Sequence, residues 1–217
     1  MSSPIRILLA DDHRMFLHAL RVMLEKEKDI RVIGVAGNGS ELLALATSQD
    51  IDIACIDIGM PEMNGIEATQ RLLALRPQIK VIGLSAFSDR QFVLDLLNAG
   101  ARGYVTKAEA GDELLRAIHA VQGGKTYLCP DVAATVANAL IENAPGQQAT
   151  PRITARERQV LQLIAEGHTS ARIGERLHVA ASTVEVHRRN IMRKLDLHSV
   201  AELTKYAIRN GITTISG

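Results

Sequence analysis

At 217 residues, with 47% apolar and 23% charged side chains, the chain has the composition of an ordinary globular protein and room for one large domain or two small ones. No apolar run approaches the roughly 18 residues of a membrane helix, and the start MSSPIRILLADD lacks a signal-peptide layout because acids follow its short apolar run, so membrane-spanning and secreted classes are set aside and a cytoplasmic protein is expected. The net charge of +1 hides an asymmetry: residues 1–143 carry 14 Lys and Arg against 18 Asp and Glu, whereas residues 144–217 carry 11 against 6, an acidic front with a basic back suited to a polyanion.

The first 125 residues alternate two patterns at short intervals. IRILLA (5–10), RVIGVA (31–36), IDIACID (51–57), KVIGLSA (80–86) and ARGYVT (101–106) are apolar, β-branched runs of strand length. Between them lie amphipathic stretches at 13–27, 40–48, 66–75, 89–99 and 109–121. Strand and helix in alternation predict an α/β domain built on a five-stranded, doubly wound parallel sheet with helices on both faces. Pro130 and Asp131 can open a further helix with Val132, Val136, Ala139 and Leu140 on one side. The stretch ENAPGQQATPR that follows has no apolar period and reads as a flexible linker, with a boundary near 143–152. The expected domains are therefore 1–127, a helix-bearing linker at 128–151, and 152–217.

The back domain predicts four short helices and no strand. Thr154 stands three residues before Glu157, the capping-box spacing, and opens a helix over 155–165 that Gly167 closes. Helices at 170–177, 182–195 and 199–210 follow, the last stopped by Gly211. Only residues 178–181 separate the second from the third, which is the layout of a helix-turn-helix. On a helical wheel, Val184, Ile191 and Leu195 fall on the core side of the third helix with His187 at their margin. Glu185, Val186, Arg189 and Arg193 point outward with Asn190 beside them. An arginine-bearing outer face on a basic domain suits the major groove of DNA.

In the front domain the strands should end at one edge of the sheet, where α/β proteins gather ligand chemistry. The first strand ends at Asp11 and Asp12, the third at Asp57, the fourth at Ser85 and the fifth at Lys107. A lone Asp before Gly and Pro is most simply a turn cap; its company gives Asp57 another reading. Three carboxylates gathered together repel by ~4 kcal/mol per close pair at an intermediate dielectric, and so need a counter-charge. A hard divalent cation such as Mg²⁺ suits carboxylates, a backbone carbonyl and phosphate oxygens. Lys107 adds a mobile positive charge and Ser85 a hydroxyl, and together they describe a site for a phosphoryl group on Asp57. Cys55 and Cys129 have no metal-ligand spacing and read as reduced thiols. The seven histidines show no zinc pattern, so no metal ligand is expected from histidine.

The acid pair, D-x-x-M-P-x-x-x-G beginning at Asp57, the serine, and the lysine after an aromatic occur in the order found in bacterial response regulators, and residues 4–125 resemble their receiver domain. The resemblance implies a flavodoxin-like sheet in which Asp12 and Asp57 ligate Mg²⁺ directly, Asp11 acts mostly through a water, and the Gly59 carbonyl is the backbone ligand. It further implies that Ser85 hydrogen-bonds the phosphoryl oxygens, that Lys107 pairs with them, and that Tyr104 is a switch aromatic turning inward as Ser85 moves. Pro61 and Gly65 shape the turn after the strand. Gly59 departs from the larger side chain of many members, which bears on access to the phosphoryl group and on its lifetime.

Residues 152–211 resemble the LuxR-type helix-turn-helix of NarL/FixJ response regulators, through T-x-R-E-x-x-V-L-x-L-I-A-x-G and T-V-x-V-H-x-x-N-I-x-x-K-L. By that resemblance Glu185, Val186 and Arg189 read bases, while Thr183, Asn190, Arg193 and Lys194 lie nearer phosphates. Many relatives carry Lys where this chain has Glu185; a carboxylate there can accept from cytosine N4. The expectation is a two-component transcription factor and not an enzyme. A sensor histidine kinase phosphorylates Asp57 with Mg²⁺, and the protein then dimerises or opens to bind double-stranded promoter DNA as a homodimer. One rival is a regulator of the same fold that ignores phosphorylation. Another is an aspartate-nucleophile phosphatase, which needs a second Asp two residues after the first as general acid, where this chain has Gly59.

Overall fold

The computed structural model describes residues 3–86, 90–142, 153–177 and 179–213, in two compact units, Met1–Ile141 and Glu142–Gly217. The expected start of the fourth helix at Asp89, most of the expected linker at 143–152, and the turn residue His178 lie outside the described residues, as do the side chains of Ala139 and Leu140.

In the first unit, strands β1 (Ile5–Ala10), β2 (Ile30–Ala36), β3 (Ile53–Asp57), β4 (Lys80–Ser85) and β5 (Gly103–Thr106) pair in parallel in the order β2-β1-β3-β4-β5. The crossovers carry helices α1 (Arg14–Leu24), α2 (Gly39–Ser48), α3 (Gly65–Leu75), α4 (Arg90–Asn98) and α5 (Asp112–Gln122), which is what parallel pairing requires. The winding reverses between β1 and β3, and that reversal leaves a crevice at their carboxyl ends. Every residue of β3 is buried, as expected for a strand covered on both faces. On one face Ile7, Leu9, Ile53, Ile82, Leu84 and Val105 pack with Leu17, Leu20 and Leu24 of α1 and Leu114, Ile118 and Val121 of α5. Each such buried aliphatic side chain contributes about 1.5–3 kcal/mol. Helices α2 and α3 begin where Asn38 and Asn64 side chains accept from the amides of Glu41 and Glu67, 2.9 Å in each case.

A sixth strand, β6 (Tyr127–Leu128), extends the expected five beyond β5, again in parallel. Tyr127 N–H donates to the Arg102 carbonyl at 2.9 Å and Cys129 N–H to the Tyr104 carbonyl at 3.1 Å. Two residues after Gly123-Gly124-Lys125-Thr126 are too few to show a strand period; they pair because α5 returns the chain to the open edge of β5. The Tyr127 hydroxyl donates to the Glu113 carboxylate on α5, fixing that edge, and burial together with Glu113 pushes the phenol above its ordinary pKa. Helix α6 (Pro130–Glu142) starts two residues later, with Val132 wholly buried.

The second unit holds α7 (Ala155–Ala165), α8 (Ser170–Leu177), α9 (Ala181–Leu195) and α10 (Val200–Arg209). Complete capping boxes open α7 at Thr154 and Glu157 and α10 at Ser199 and Glu202. Val160, Leu161, Ile173, Val184, Ile191 and Leu203 form the buried interior of this small unit. A Cβ on Gly174 would lie 2.7 Å from the Val179 carbonyl oxygen, so glycine lets α8 close onto the short turn before α9. Helix α9 starts at Ala181, one residue earlier than expected.

Candidate functional site

The carboxyl ends of β1 and β3 bring Asp11, Asp12 and Asp57 together, and the turn after β5 adds Lys107. Ligand atoms of Asp11, Asp12, His13 and Asp57 all lie within 4.8 Å of one another. Lys107 Nζ sits 2.7 Å from Asp11 Oδ2 and 3.1 Å from Asp57 Oδ2, bridging two buried carboxylates. The aliphatic end of the lysine also carries its ammonium 5.1 Å over the Phe16 ring. Burial pulls the Lys107 pKa down, but Asp57 and Asp11 outweigh it and leave the ammonium above its ordinary value. Burial first and Asp11 second push the Asp57 carboxyl up to about 6, against the lowering influence of Lys107 and of the Gly59 N–H. One ammonium thus serves several crowded acids, and the site is short of positive charge.

The donor set fits a hard divalent cation. Asp11 Oδ2 and Asp12 Oδ1 are buried, and among the described residues they have no partner beyond the ion pairs to the Lys107 ammonium at 2.7 Å and His13 Nδ1 at 2.8 Å. His13 was not expected in this cluster, since scattered histidines gave no ligand pattern. Its backbone N–H donates to Asp11 Oδ1 at 2.9 Å, and its Nδ1 lies 3.1 Å from the same oxygen. The signal available in the sequence was adjacency to the acid pair. Phe16 likewise carries no sequence signature of its contact, since it stands in the first turn of α1, far in sequence from Lys107.

Glycines frame the phosphoacceptor candidate. A Cβ on Gly65 would fall 2.2 Å from the Asp57 carbonyl oxygen, so only glycine lets α3 begin this close behind the strand. Gly59 is different: a Cβ there would stand 3.7 and 3.9 Å from the two Asp57 carboxylate oxygens, an ordinary contact. Its lack of a side chain leaves that flank of Asp57 open. Ser85 is buried at the end of β4, where the neighbouring Leu84 pairs with Asp57 and Ser85 itself pairs with Thr106. Tyr104, expected to turn inward as a switch, is wholly buried, and the missing side chain of Gly83 opens room beside it and Leu96.

In the second unit α9 presents Val186, Arg189 and Arg193 to solvent, while Val184 and Ile191 are buried. Thr183 is half-buried, and Asn190 accepts from Arg193 at 3.2 Å. Two of the expected DNA-facing residues have partners that the wheel did not foresee. Glu185 takes the Ser170 hydroxyl of α8 and pairs with Arg188 at 2.7 Å. Lys194, expected near phosphate, places its ammonium 2.6 Å from Glu157 Oε2, the carboxylate that also caps α7. Burial works against the charge on Glu157, but Lys194 and Thr154 more than offset it and hold the carboxyl below its ordinary range.

Family comparison agrees with both halves of this geometry. Residues 7–119 match the response regulator receiver domain, and residues 151–207 match the bacterial regulatory proteins of the luxR family. The transcriptional regulatory protein LiaR of Bacillus subtilis is 39% identical over 208 residues, covering 95% of this chain and 98% of LiaR. The response regulator UvrY of Escherichia coli is 31% identical over 208 residues, covering 96% and 95%. Among solved structures, the RcsB response regulator of Salmonella typhimurium shares the fold at a TM-score of 0.76, with 22% identity over 94% of this chain and 97% of that one. A parallel α/β receiver with its acid pocket, followed by a LuxR-type helix-turn-helix, places the chain in the NarL/FixJ-type family of DNA-binding two-component response regulators.

Proposed function

We propose that Asp57 is the phosphoacceptor of this regulator and that its phosphorylation controls binding of promoter DNA through α9. The observation that carries the reading is the Lys107 ammonium bridging Asp11 and Asp57 at 2.7 and 3.1 Å inside a buried acid cluster. In the transfer, an Asp57 carboxylate oxygen attacks phosphorus, and the new O–P bond forms as the P–N bond to the histidine of a sensor kinase breaks. Asp12 and Asp57, with Asp11 through water and the Gly59 carbonyl, would hold Mg²⁺, which supplies positive charge to the phosphoryl oxygens. Lys107 is drawn toward the added anion, and Ser85, at the adjacent strand end, offers it a hydroxyl. Tyr104, directly before Val105 on β5, then reports the position of Ser85 to the α4–β5 side.

The receiver occupies residues 1–127, the linker 128–151 and the DNA-binding domain 152–217, in a cytoplasmic protein that acts as a homodimer on paired half-sites. Among the described residues no helix is long and apolar enough to cross a membrane. Arg189 and Val186 read bases, with Glu185 available once Ser170 and Arg188 release it; Thr183, Asn190 and Arg193 lie nearer the backbone. Incubation with acetyl phosphate and Mg²⁺, read by intact-mass spectrometry, tests the centre of this proposal. A phosphoryl adduct on wild type and none on Asp57→Asn is expected. An adduct that survives the substitution refutes Asp57. An adduct that leaves promoter affinity unchanged means that phosphorylation does not control this regulator.

A further inference from the structure

Beyond β5 runs a connection that the phosphoryl chemistry does not itself use. β6 is hydrogen-bonded to β5 as far as the Cys129 N–H on the Tyr104 carbonyl. There the backbone ladder stops, because Cys129 is the last residue before α6 and its carbonyl already accepts the Ala133 N–H at 2.9 Å. The Cys129 side chain, with no exposed surface, carries the contact further. Its thiol faces the backbone N–H groups of Thr106 and of Val132 and the Glu109 carboxylate. The thiol thus stands between the end of β5 and the first turn of α6, beside amides that have no partner within the helix.

The other end of this join is the reacting site. Thr106 directly precedes Lys107, and its hydroxyl donates to Glu109 at 2.9 Å, so the single turn Lys107–Glu109 is tied at its back to Cys129. At its front the same turn holds the ammonium on Asp11 and Asp57. Sulfur is a weak acceptor, so the link can rearrange without unwinding the helix. Downstream, α6 is the element through which the chain leaves for the DNA-binding unit.

We propose that Cys129 is a positioning residue that couples the Lys107–Glu109 turn to the first turn of α6, so that engagement of Lys107 by a phosphoryl group on Asp57 is felt at the start of the linker helix. The proposal rests on Asp57 being the phosphoacceptor. Coupling of this kind is reciprocal, so restraint of α6 changes how readily Lys107 engages an anion on Asp57.

The test uses the full chain with Mg²⁺ and beryllofluoride, a stable phosphoryl mimic, with fluorine NMR reporting occupancy and amide exchange reporting Val132 and Ala133. In the wild type, occupancy changes exchange at these amides by about threefold or more. Cys129→Ala should still reach full occupancy at saturating mimic and lose that change. Cys129→Ser, with a hydroxyl in place of the thiol, should keep it. If Cys129→Ala does not fold, Glu109→Gln, which weakens the same join from the other side, should reduce the response while occupancy persists. A full response in Cys129→Ala or in Glu109→Gln overturns the proposal, as does an occupied wild type whose α6 amides are unmoved. Absence of occupancy in the wild type instead refutes Asp57 as acceptor, and this coupling with it.

Discussion

Replacing Asp57 with Asn should make the first unit more stable, not less, when no divalent cation is present. The buried Asp57 carboxyl is pushed from 3.8 up to about 6, chiefly by burial and then by Asp11. A folded-state pKa above the unfolded one means that the folded form binds the proton more tightly. Stability is therefore present at low pH and lost as pH rises from about 4 to about 6, with the full deficit in place by neutrality. A gap of roughly two units corresponds to about 3 kcal/mol, of which Asn forfeits part because it no longer attracts Lys107 as an anion, so a gain of about 1–3 kcal/mol is expected. Amide exchange of the protected β1 and β3 strands in the full chain measures it: at pH 7.5 with a chelator, exchange in Asp57→Asn should slow by about 5- to 160-fold. Near pH 4 the two proteins should converge. Millimolar Mg²⁺ should stabilise the wild type selectively and shrink or reverse the difference. An Asp57→Asn protein that is less stable than the wild type at pH 7.5 without cation would show that Asp57 is a net stabilising carboxylate, and the charge-shortage argument would fail.

Gly65→Ala should cost about 3 kcal/mol or more and impair acetyl phosphate labelling, since its Cβ meets the Asp57 carbonyl at 2.2 Å; urea unfolding and labelling at native temperature check both. Glu157→Gln should destabilise the second unit by about 1–3 kcal/mol at pH 7, through the α7 cap and the Lys194 pair, read by amide exchange in α9. Because the folded Glu157 carboxyl lies below its ordinary range, this contribution is fully present above the unfolded pKa and is lost as pH falls through the folded one, so the variants should converge in acid. Arg189→Ala should weaken binding to a selected promoter site by about 1–3 kcal/mol and non-specific binding much less. Equal losses in a titration on both DNAs would place Arg189 on phosphate alone.

The acid pocket was readable in the sequence because strands end abruptly where buried parallel sheets end. Ile5–Ala10 runs into Asp11 and Asp12, and Ile53–Ile56 into Asp57, so the break from apolar to charged residues marks both the edge and its chemistry. The capping boxes at Thr154 and Ser199 were local and equally visible, or, at Ser199, visible as the start of a helix. What escaped was decided by contacts across the fold. β6 exists because an edge was free, not because two residues prefer extended backbone. The Lys194 ammonium points to a carboxylate 37 positions earlier, and the Glu185 carboxylate to a hydroxyl 15 earlier, which a wheel of α9 alone cannot show. His13 joined the acid cluster through its own backbone N–H, a link with no spacing signature.

The pairing of Glu185 with Arg188 bears on how long the protein lingers on the wrong DNA. An α9 that meets any phosphate backbone brings this carboxylate with its arginines, and while Glu185 is closed on Arg188 and Ser170 it offsets one unit of their charge. Sequence-independent attachment depends on the number of counterions displaced, each neutralised phosphate adding steeply to retention at low salt. One fewer effective cation shortens every unproductive stop along the genome. Affinity is regained only where a site offers Arg188 or Glu185 a better partner than each other. On the proposed reading of α9 as the DNA-contacting helix, this one short side-chain contact would weaken non-specific retention and so quicken target search.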